Sequence, residues 1–552
     1  MSIEAVADKE SIRQETGPVI AWENTALYVI AGIVVVLCTC VRIRLLGIPL
    51  ERDEGEFAYF GQLMLKGIPP FAAAYSMKLP GIYGMYALIM TLFGQTAQGI
   101  HLGLLVTNLI SILLLFLLGK RICGIYAGAV ASAVYALLSV SFSVFGVFAH
   151  ATHFVVLFAV AGFLCMFKAL DRNNRLLFLV TGILFGMAFT MKQHAVLLII
   201  FAFFYLVWSG WRNSTSGKIH IMARSALFLL GTILPAALIA LWMFQAGLFD
   251  KFWFWTVQYA RAYASSETVV AGLSRFFSQT AGIIIPQIPL WLLAFAGGGL
   301  LLTKHGRSGD RFFIFGLFLF SMLAICPGFY FRPHYYIMLL PALALLIGVA
   351  LQSVASLPAL SRQGLSRHII PLLLFSGAVA YGFVSERSYF FFLPPEKAGR
   401  AIYGTNPFPE AVEIARYIRD RTSTNDRIAV LGSEPEIYFY ADRLSATGHI
   451  YMYGLMDDHP YAERMQMQMI REIETARPKF VVAVNVDTSW MVRPTSSQKF
   501  LDWGENYVRN FYDLVGVIDI IDADTTRYMW DDKASGYRHV SNRFLTVFKR
   551  RV

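Results

Sequence analysis

The residues best suited to chemistry lie in two short segments that follow the first apolar run of the sequence. Residues 52–56 comprise one arginine, three carboxylates and a glycine, and residues 78–81 add a second cation. Carboxylates beside a bilayer are costly unless they are paired, solvated or used. Because this mixture of anions and cations suits a substrate that carries a phosphate, we predict an active site here.

A purely structural explanation also exists for part of this region. Asp53 and Glu56 stand three residues apart, which is the spacing of a capping box that only starts a helix. Phe57, Phe60 and Met64 then follow at helical spacing and predict an interfacial helix. A cap needs one carboxylate, whereas this region has three beside two cations, so we favour the catalytic interpretation.

The composition indicates the class of protein. A mean hydropathy of +0.54, with 56% hydrophobic and 15% charged residues, predicts a polytopic α-helical membrane protein. The formal charge of +11 comes mostly from Lys and Arg between apolar runs, which indicates membrane topology and not nucleic-acid binding. The five cysteines lie in or at the ends of these runs, so we predict no disulfide framework and no cysteine-based metal site.

About eleven apolar runs approach the length of roughly 20 residues that a transmembrane helix needs. They lie near residues 25–46, 98–119, 125–147, 151–170, 176–191, 194–210, 224–246, 282–303, 312–328, 335–352 and 368–385. We divide the chain into a tail (1–24), a transmembrane domain (25–394) and a C-terminal domain (395–552). The first large loop (47–97) contains a partly inserted helix near 81–94, which we do not count as a span.

Lys and Arg residues predict the orientation, because loops rich in them stay in the cytoplasm. They occur in five alternate loops, near residues 120, 170, 215, 307 and 365. The tail is then cytoplasmic, whereas the loop 47–97 and the C-terminal domain lie outside the inner (plasma) membrane. Arg42, Arg44 and Arg52 oppose this arrangement but are outweighed by the five loops.

The C-terminal domain alternates short strands with amphipathic helices, which favours an α/β fold with a small, mostly parallel sheet. Strands are predicted near 427–432, 480–484, 513–520 and 543–548. Helices are predicted near 435–441, 460–476 and 498–511. Gly432 lacks the following glycines of a dinucleotide-binding loop, so no cofactor is assigned to this domain.

Further polar residues stand at the outer ends of spans. His150 and His153 share one helix face and suit substrate hydrogen bonding, interfacial packing or a metal pair, although a third metal ligand is not evident. Lys192 and Gln193 separate two apolar runs, and for the lysine we favour a phosphate contact over an interfacial anchor. The aromatic-rich segment 247–281 suits an amphipathic lid over the site or, as Trp and Tyr near membranes more often do, interfacial anchoring, and we leave it outside the site.

Together these motifs resemble those of the GT-C glycosyltransferases. The likeness rests on the Asp-Glu pair after the first span, the aromatic helix that follows it, Lys-Leu-Pro-Gly at 78–81, Ile-Tyr-Gly-Met-Tyr at 82–86 and Arg-Pro-His-Tyr-Tyr at 332–336. The branch that these motifs resemble most is bacterial and is related to the lipid A aminoarabinose transferase and to protein O-mannosyltransferases.

The resemblance implies an inverting enzyme of cell-envelope glycan or lipopolysaccharide biosynthesis. Such an enzyme moves a sugar from a polyprenyl-phosphate donor to an acceptor hydroxyl on a glycolipid or glycan at the outer face of the membrane. Asp53 matches the family's catalytic carboxylate, and a carboxylate within hydrogen-bond reach can take the proton of the attacking hydroxyl. Glu54 is expected to support it.

The donor's phosphate needs cations, for which Arg52 and Lys78 are the local candidates. By resemblance, His334 and Tyr335 are assigned to the donor's phosphate or headgroup, with Arg332 in support. The span that begins at His150 often carries an acidic residue in the family, so this departure leaves the use of a divalent metal open.

Two alternatives remain. A protein O-glycosyltransferase of the same fold would share all these features, because the loops that select the acceptor carry no readable code. A transporter or flippase for a lipid-linked sugar would share the hydrophobicity, but it would more often show paired repeats and charges near the middle of the bilayer. The charges here cluster at one face, which favours the enzyme.

Overall fold

The computed structural model describes residues 22–212, 217–302, 308–356 and 366–551. Most of the predicted tail (1–24) and parts of the predicted cytoplasmic loops near 215, 307 and 365 lie outside these residues. The helices of the first part of the chain are α1 (Trp22–Arg44), α2 (Arg52–Leu65), α3 (Pro80–Phe93), α4 (Ala97–Cys123), α5 (Ile125–Val140), α6 (Ala151–Arg172), α7 (Arg175–Met191), α8 (Val196–Arg212), α9 (Lys218–Gln245), α10 (Phe249–Trp253), α11 (Ala260–Ala264), α12 (Val269–Ile284), α13 (Ile288–Leu302), α14 (Ser308–Ala324), α15 (Leu340–Ala355) and α16 (Ser366–Ser385).

The predicted multi-pass helical membrane architecture is confirmed. In the described part of the chain, six helical stretches are long and apolar enough to cross a membrane: Thr25–Arg44, Ala97–Cys123, Ala151–Arg172, Gln193–Arg212, Lys218–Gln245 and Val269–Leu302. Shorter apolar helices occur at Pro80–Phe93, Ile125–Val140, Arg175–Met191, Leu340–Ala355 and Ile369–Ser385. The exact number of spans stays a prediction.

Helix α5 lies at the centre of the membrane part, where it packs against α1, α4 and α15. Its residues are buried from Ala127 to Val140. Gly119 of α4 and Gly128 of α5 allow a close approach, since a Cβ on Gly119 would lie 2.8 Å from the Cα of Gly128. The helix ends before the predicted limit at 147 because Ser141 caps a short 3₁₀ turn there.

The C-terminal part contains a six-stranded sheet with helices around it. Its strands are β1 (Arg427–Leu431), β2 (Leu444–Ser445), β3 (Phe480–Asn485), β4 (Tyr512–Ile520), β5 (Thr526–Trp530) and β6 (Phe544–Arg550). Its helices are α17 (Pro395–Tyr403), α18 (Phe408–Arg419), α19 (Glu436–Ala441), α20 (Tyr453–Met456), α21 (Ala462–Ala476), α22 (Asp487–Trp490), α23 (Lys499–Phe511) and α24 (Asp532–Ser535).

The prediction of a mostly parallel sheet is wrong. The strand order is β2-β1-β3-β6-β4-β5, in which β1 is parallel to β2 and β3, while the other three pairs are antiparallel. Strand β5, which was not predicted, forms a hairpin with β4. The C-terminal strand β6 lies between β3 and β4 and is antiparallel to both, so the sheet is mixed.

Helix α2 lies between the membrane helices and the C-terminal sheet domain and does not rest on the bilayer surface alone. Phe57 and Phe60 are each 1% exposed. The Phe60 ring stacks on Tyr83 of α3 at 4.0 Å, and Tyr59 packs on Tyr438 of α19 with ring centroids 5.3 Å apart. Phe57 and Phe60, which predicted an interfacial helix, are therefore buried against α3, and Tyr59 joins the same helix to the C-terminal domain.

Arg52 makes the strongest polar connection between α2 and the C-terminal domain. Its guanidinium pairs with Glu434 at 3.0 Å and donates to the carbonyl of Ser433 and to the Tyr453 hydroxyl. The Glu434 side chain is fully buried. A buried ion pair of this kind is costly to break on one side, because the remaining charge loses its partner.

Gly55 is expected to be essential for this packing. A Cβ at this position would lie 2.7 Å from the backbone nitrogen of Glu436, which cannot move aside as a side chain can. We expect Gly55→Ala to lower the free energy of unfolding by about 1–3 kcal/mol, the usual cost of overpacking. Thermal unfolding of the variant in detergent measures this loss of stability. Gly84→Ala is the control, since a Cβ there meets only the Met64 terminal methyl at 3.9 Å. Equal stability of the two variants would contradict the expectation.

Arg52→Ala should also destabilise the protein, by about 3–5 kcal/mol, because it leaves Glu434 buried and unpaired. The double variant Arg52→Ala/Glu434→Gln should recover part of the loss, which a comparison of melting temperatures would detect. Full stability of the single variant would show that this pair does not hold the two parts together.

Candidate active site

Helix α2 begins with a capping box formed by Glu51 and Glu54. The Glu54 N–H donates to Glu51 Oε1 at 2.9 Å, and the Glu51 N–H donates to Glu54 Oε2 at 3.2 Å. The structural alternative, in which Asp53 and Glu56 form the capping box, is therefore wrong, since the box lies two residues earlier. The consequence is chemical, because the carboxylates of Asp53 and Glu56 are left free for other partners.

Those two carboxylates hold Lys78 between them. The Lys78 ammonium lies 2.9 Å from Asp53 Oδ1 and 3.1 Å from Glu56 Oε2. Glu56 also accepts hydrogen bonds from Ser76 and from the Tyr83 hydroxyl. Glu56 is almost fully buried, whereas the side chains of Asp53 and Lys78 are each 20% exposed. Asp53 is thus the accessible end of a buried ionic cluster.

Charge, not burial, decides the ionisation of Asp53. Burial favours its neutral form, but the nearby cations, Lys78 above all and then Arg332, outweigh this and hold the pKa of Asp53 well below its usual range. Burial likewise disfavours the charged form of Lys78, but the two carboxylates beside it raise the pKa of Lys78 above its usual value. Asp53 is therefore a carboxylate at neutral pH.

Two histidines stand next to Asp53. The rings of His150 and His334 stack with centroids 4.0 Å apart, and one ligand atom from each, together with one from Asp53, lie within 4.8 Å of one another. Burial lowers the pKa of His150 to about 4, so its ring is neutral and offers a nitrogen lone pair to a hydrogen-bond donor or a metal. Among the described residues this is the one group of three side chains with metal-ligand spacing.

Two cations line the opposite wall of the same cavity. The Lys192 ammonium lies 4.1 Å from the centre of the Tyr335 ring, and the Arg332 guanidinium lies 5.7 Å from that of Tyr330. Neither has a carboxylate within 4.0 Å in the described part of the chain. Gln193 donates to the carbonyl of Met77 at 2.9 Å, which ties the Lys192 turn to the loop before Lys78.

Lys192 differs from an ordinary surface lysine. Burial, aided by the positive charges of Lys78 and Arg332, lowers the pKa of Lys192 to about 7, although Asp53 acts in the opposite direction. A buried ammonium without a carboxylate partner is stabilised when an anion enters the cavity.

These groups surround one cavity of about 250 Å³. The sequence-predicted residues that line it are Asp53, Lys78, His150, Lys192, Gln193, Arg332, His334 and Tyr335. Three other predicted residues do not line it: Arg52 is bound to Glu434, Glu54 accepts from His101 and from the Ala149 N–H, and His153 is buried next to the site. Arg52 is therefore already neutralised by an internal partner.

Sequence reasoning missed much of the cavity wall. Aromatic residues from the segment 247–281 and from the C-terminal domain contribute to it: Trp255, Tyr259, Tyr263, His449, Tyr451 and Tyr453. The Tyr451 hydroxyl donates to Asp53 Oδ1 at 3.4 Å, so the C-terminal domain reaches the predicted base directly. The segment 247–281 was left outside the predicted site, although a lid over the site was one of its two interpretations, because tryptophan and tyrosine also serve as membrane anchors.

Comparisons with known proteins agree with this architecture. A family profile described as dolichyl-phosphate-mannose-protein mannosyltransferase matches residues 78–239. ArnT from Cupriavidus metallidurans, bound to undecaprenyl phosphate, is 15% identical with a TM-score of 0.58 over 96% of this chain and 98% of that chain. No curated protein sequence gives a significant match.

An archaeal relative has the same fold. The oligosaccharyltransferase AglB from Archaeoglobus fulgidus, in complex with an inhibitory peptide and a dolichol-phosphate, is 12% identical with a TM-score of 0.52 over 93% of this chain and 74% of that chain. The Archaeoglobus fulgidus oligosaccharyltransferase in a complex with Zn and sulfate is 13% identical, with a TM-score of 0.53 over 91% of this chain and 72% of that chain. The chain is thus a multi-pass membrane protein with the GT-C fold, and its predicted resemblance to the aminoarabinose transferase and O-mannosyltransferase branch is confirmed.

Proposed function

We propose that this protein is an inverting glycosyltransferase that moves a sugar from a polyprenyl-phosphate donor to a hydroxyl of a glycolipid or glycan. The observation that carries the proposal is the juxtaposition, in one cavity, of an ionised carboxylate (Asp53) and two cations without carboxylate partners among the described residues (Lys192 and Arg332). The first group suits proton removal and the others suit the phosphate that leaves.

Asp53 acts as the general base. The acceptor hydroxyl attacks the anomeric carbon from the face opposite to the phosphate, and its proton passes to a carboxylate oxygen of Asp53 as the new bond forms. Lys78 keeps Asp53 ionised and fixes its orientation from a distance of 2.9 Å. Because Lys78 is already shared with Glu56, its charge is largely used within the protein.

Lys192 and Arg332 hold the phosphate. As the bond between the sugar and the phosphate breaks, negative charge grows on the leaving oxygen, and preorganised cations stabilise this charge most where water is excluded. The lipid phosphates named with the two solved relatives, undecaprenyl phosphate and dolichol-phosphate, support a donor of this class. Its prenyl chain would run along the membrane helices below the cavity.

Asp53, His150 and His334 also form a donor set that fits a divalent cation, with two neutral imidazoles and one carboxylate. Such an ion would supply Lewis-acid stabilisation of negative charge. It would have to share Asp53 with Lys78. Zn is named with one solved structure of the archaeal relative, which supports testing this site.

The acceptor and the topology complete the proposal. We place the loop 47–97 and the C-terminal domain (395–552) on the outer face of the inner membrane, from the charge of the alternating loops. A protein O-glycosyltransferase is the second candidate, favoured by the family profile over residues 78–239. Mass spectrometry of glycolipids, polymeric glycans and secreted proteins from cells with and without the gene would distinguish the two acceptors.

Asp53→Asn should abolish transfer, because the amide keeps the size of the side chain but cannot take a proton. We expect a rate reduction of about 100- to 10,000-fold, measured as release of the polyprenyl phosphate from a radiolabelled donor. Asp426→Asn is the matched control, since Asp426 is also paired with a lysine (Lys479, 3.0 Å) but lies in the C-terminal domain. Full turnover by Asp53→Asn would eliminate this residue as the base.

Donor binding should weaken as pH rises through about 7, where Lys192 loses its proton. Below this pH the ammonium is charged and attracts the phosphate, whereas above it the neutral amine does not. Between pH of about 6 and about 9 the affinity should fall roughly tenfold, the scale of one charged hydrogen bond. Equilibrium binding of a fluorescent polyprenyl-phosphate sugar, whose phosphodiester keeps a single negative charge over this range, measures this fall.

Lys192→Arg is the control for that titration, because arginine stays charged over the whole range. Its donor affinity should be nearly independent of pH. An unchanged pH dependence in this variant would assign the effect to another group and remove Lys192 from the phosphate site.

A further inference from the structure

A second cleft, here called the polar cleft, lies at the other end of α2. It is lined by residues from the loop between α1 and α2, the end of α2, the start of α4 and the C-terminal domain, and its volume is about 850 Å³. Gln62 lies nine residues after Asp53, which corresponds to about 13 Å along the helix and to its opposite face. No residue lines both this polar cleft and the cavity of Asp53 in the described part of the chain.

The wall of the polar cleft combines amides with aromatic rings. Gln95 and Gln98 stand at the start of α4 and are exposed, and Tyr528 and Trp530 of β5 are partly exposed on the opposite side. Primary amides both donate and accept hydrogen bonds, which matches the hydroxyl groups of a sugar. Aromatic faces cover the C–H faces of sugar rings, so the combination suits a polyhydroxylated ligand more than an apolar one.

Gln62 gives an independent indication of a ligand. This side chain is 3% exposed and lines the polar cleft. Its amide nitrogen donates to Gln95 Oε1 at 3.2 Å, but its Oε1 has no hydrogen-bond partner among the described residues. Its amide nitrogen also donates to the Phe439 carbonyl at 3.4 Å. Buried amide oxygens are rarely left unpaired in folded proteins, and because Gln62 Oε1 is closed to solvent, a hydroxyl group in the cleft would pair with it after a small movement of this side chain.

The charges of the polar cleft argue against an anionic ligand. Glu396, Glu413 and Asp442 line it with a single cation among the described residues, Arg419. Asp442 is paired with Lys66 at 2.5 Å and Glu413 is paired with Arg416, whereas the Arg419 guanidinium itself lies 4.0 Å from Asp420. Among the described residues the polar cleft therefore offers no unpaired cation to a phosphate or another acidic headgroup, in contrast to the cavity of Lys192 and Arg332.

We propose that the polar cleft binds a neutral saccharide. The ligand is either a free glycan or the headgroup of a neutral glycolipid, since both present the same hydroxyl groups. The site is separate from the transfer site, and the inference does not depend on the proposed transferase activity.

Saturation-transfer NMR on the full chain in nanodiscs tests this proposal. The probes are neutral oligosaccharides of glucose, galactose, mannose and their N-acetylated forms. We expect saturable signals from at least one of them, lost or weakened at least fivefold in the variant Gln98→Ala/Glu396→Ala. Both side chains are exposed and have no ion-pair partner among the described residues, so their removal should leave the fold intact.

The control variant is Gln498→Ala/Glu463→Ala. This double variant also removes one exposed amide and one exposed glutamate, each at the start of a different helix (α23 and α21). Neither residue lines the polar cleft. This variant should bind the probe as the unmodified protein does.

A second arm distinguishes the two sources of the ligand. Nanodiscs that contain a neutral glycosyl diacylglycerol are compared with nanodiscs that contain phosphatidylglycerol. Binding of the free oligosaccharide supports a free glycan, and binding only of the lipid-linked sugar supports a glycolipid headgroup. Absence of saccharide binding in both arms, equal binding by both variants, or stronger binding of phosphatidylglycerol would overturn the proposal.

Discussion

A lysine held between two carboxylates is the interaction on which the rest of the site depends. Lys78 compensates for the burial of Glu56 and keeps Asp53 ionised in a cavity where an isolated carboxyl would tend to be neutral. Both carboxylates belong to α2, and Lys78 comes from the turn before α3. The packing that fixes these two helices, including the Phe60–Tyr83 stack, therefore also fixes the charge of the proposed base.

The C-terminal domain has a direct part in this arrangement. It holds α2 through Arg52 and Glu434, and it closes the cavity with Tyr451, whose hydroxyl reaches Asp53. The close contact of Gly55 with Glu436 leaves little freedom between the two parts. A domain that the sequence presents as a separate unit thus completes the same site as the membrane helices, which ties catalytic geometry to domain docking.

Hydropathy and local motifs were sufficient to predict the membrane fold and most of the charged residues of the cavity, because apolar runs and charged residues beside them are local signals. Eight of the eleven named candidate residues line the cavity. Non-local features were missed: the mixed sheet depends on β6 pairing with strands distant in sequence, and Tyr451 approaches Asp53 from 398 residues away. The capping box was displaced because the sequence has acidic residues at 51, 53, 54 and 56, so that two pairs share the same three-residue spacing.

Pairing, and not proximity in sequence, decides which cations can serve a phosphate. Arg52 and Lys78 flank the proposed base in the sequence, yet both are engaged with internal carboxylates. A phosphate that recruited either would have to compete with a partner already in place, at the cost of leaving a buried carboxylate uncompensated. Lys192 and Arg332 carry no such cost and rest on tyrosine rings, so a phosphate that enters the cavity would not compete with an internal carboxylate for them. The proposed site thereby separates the charges that maintain the base from those that would receive the phosphate.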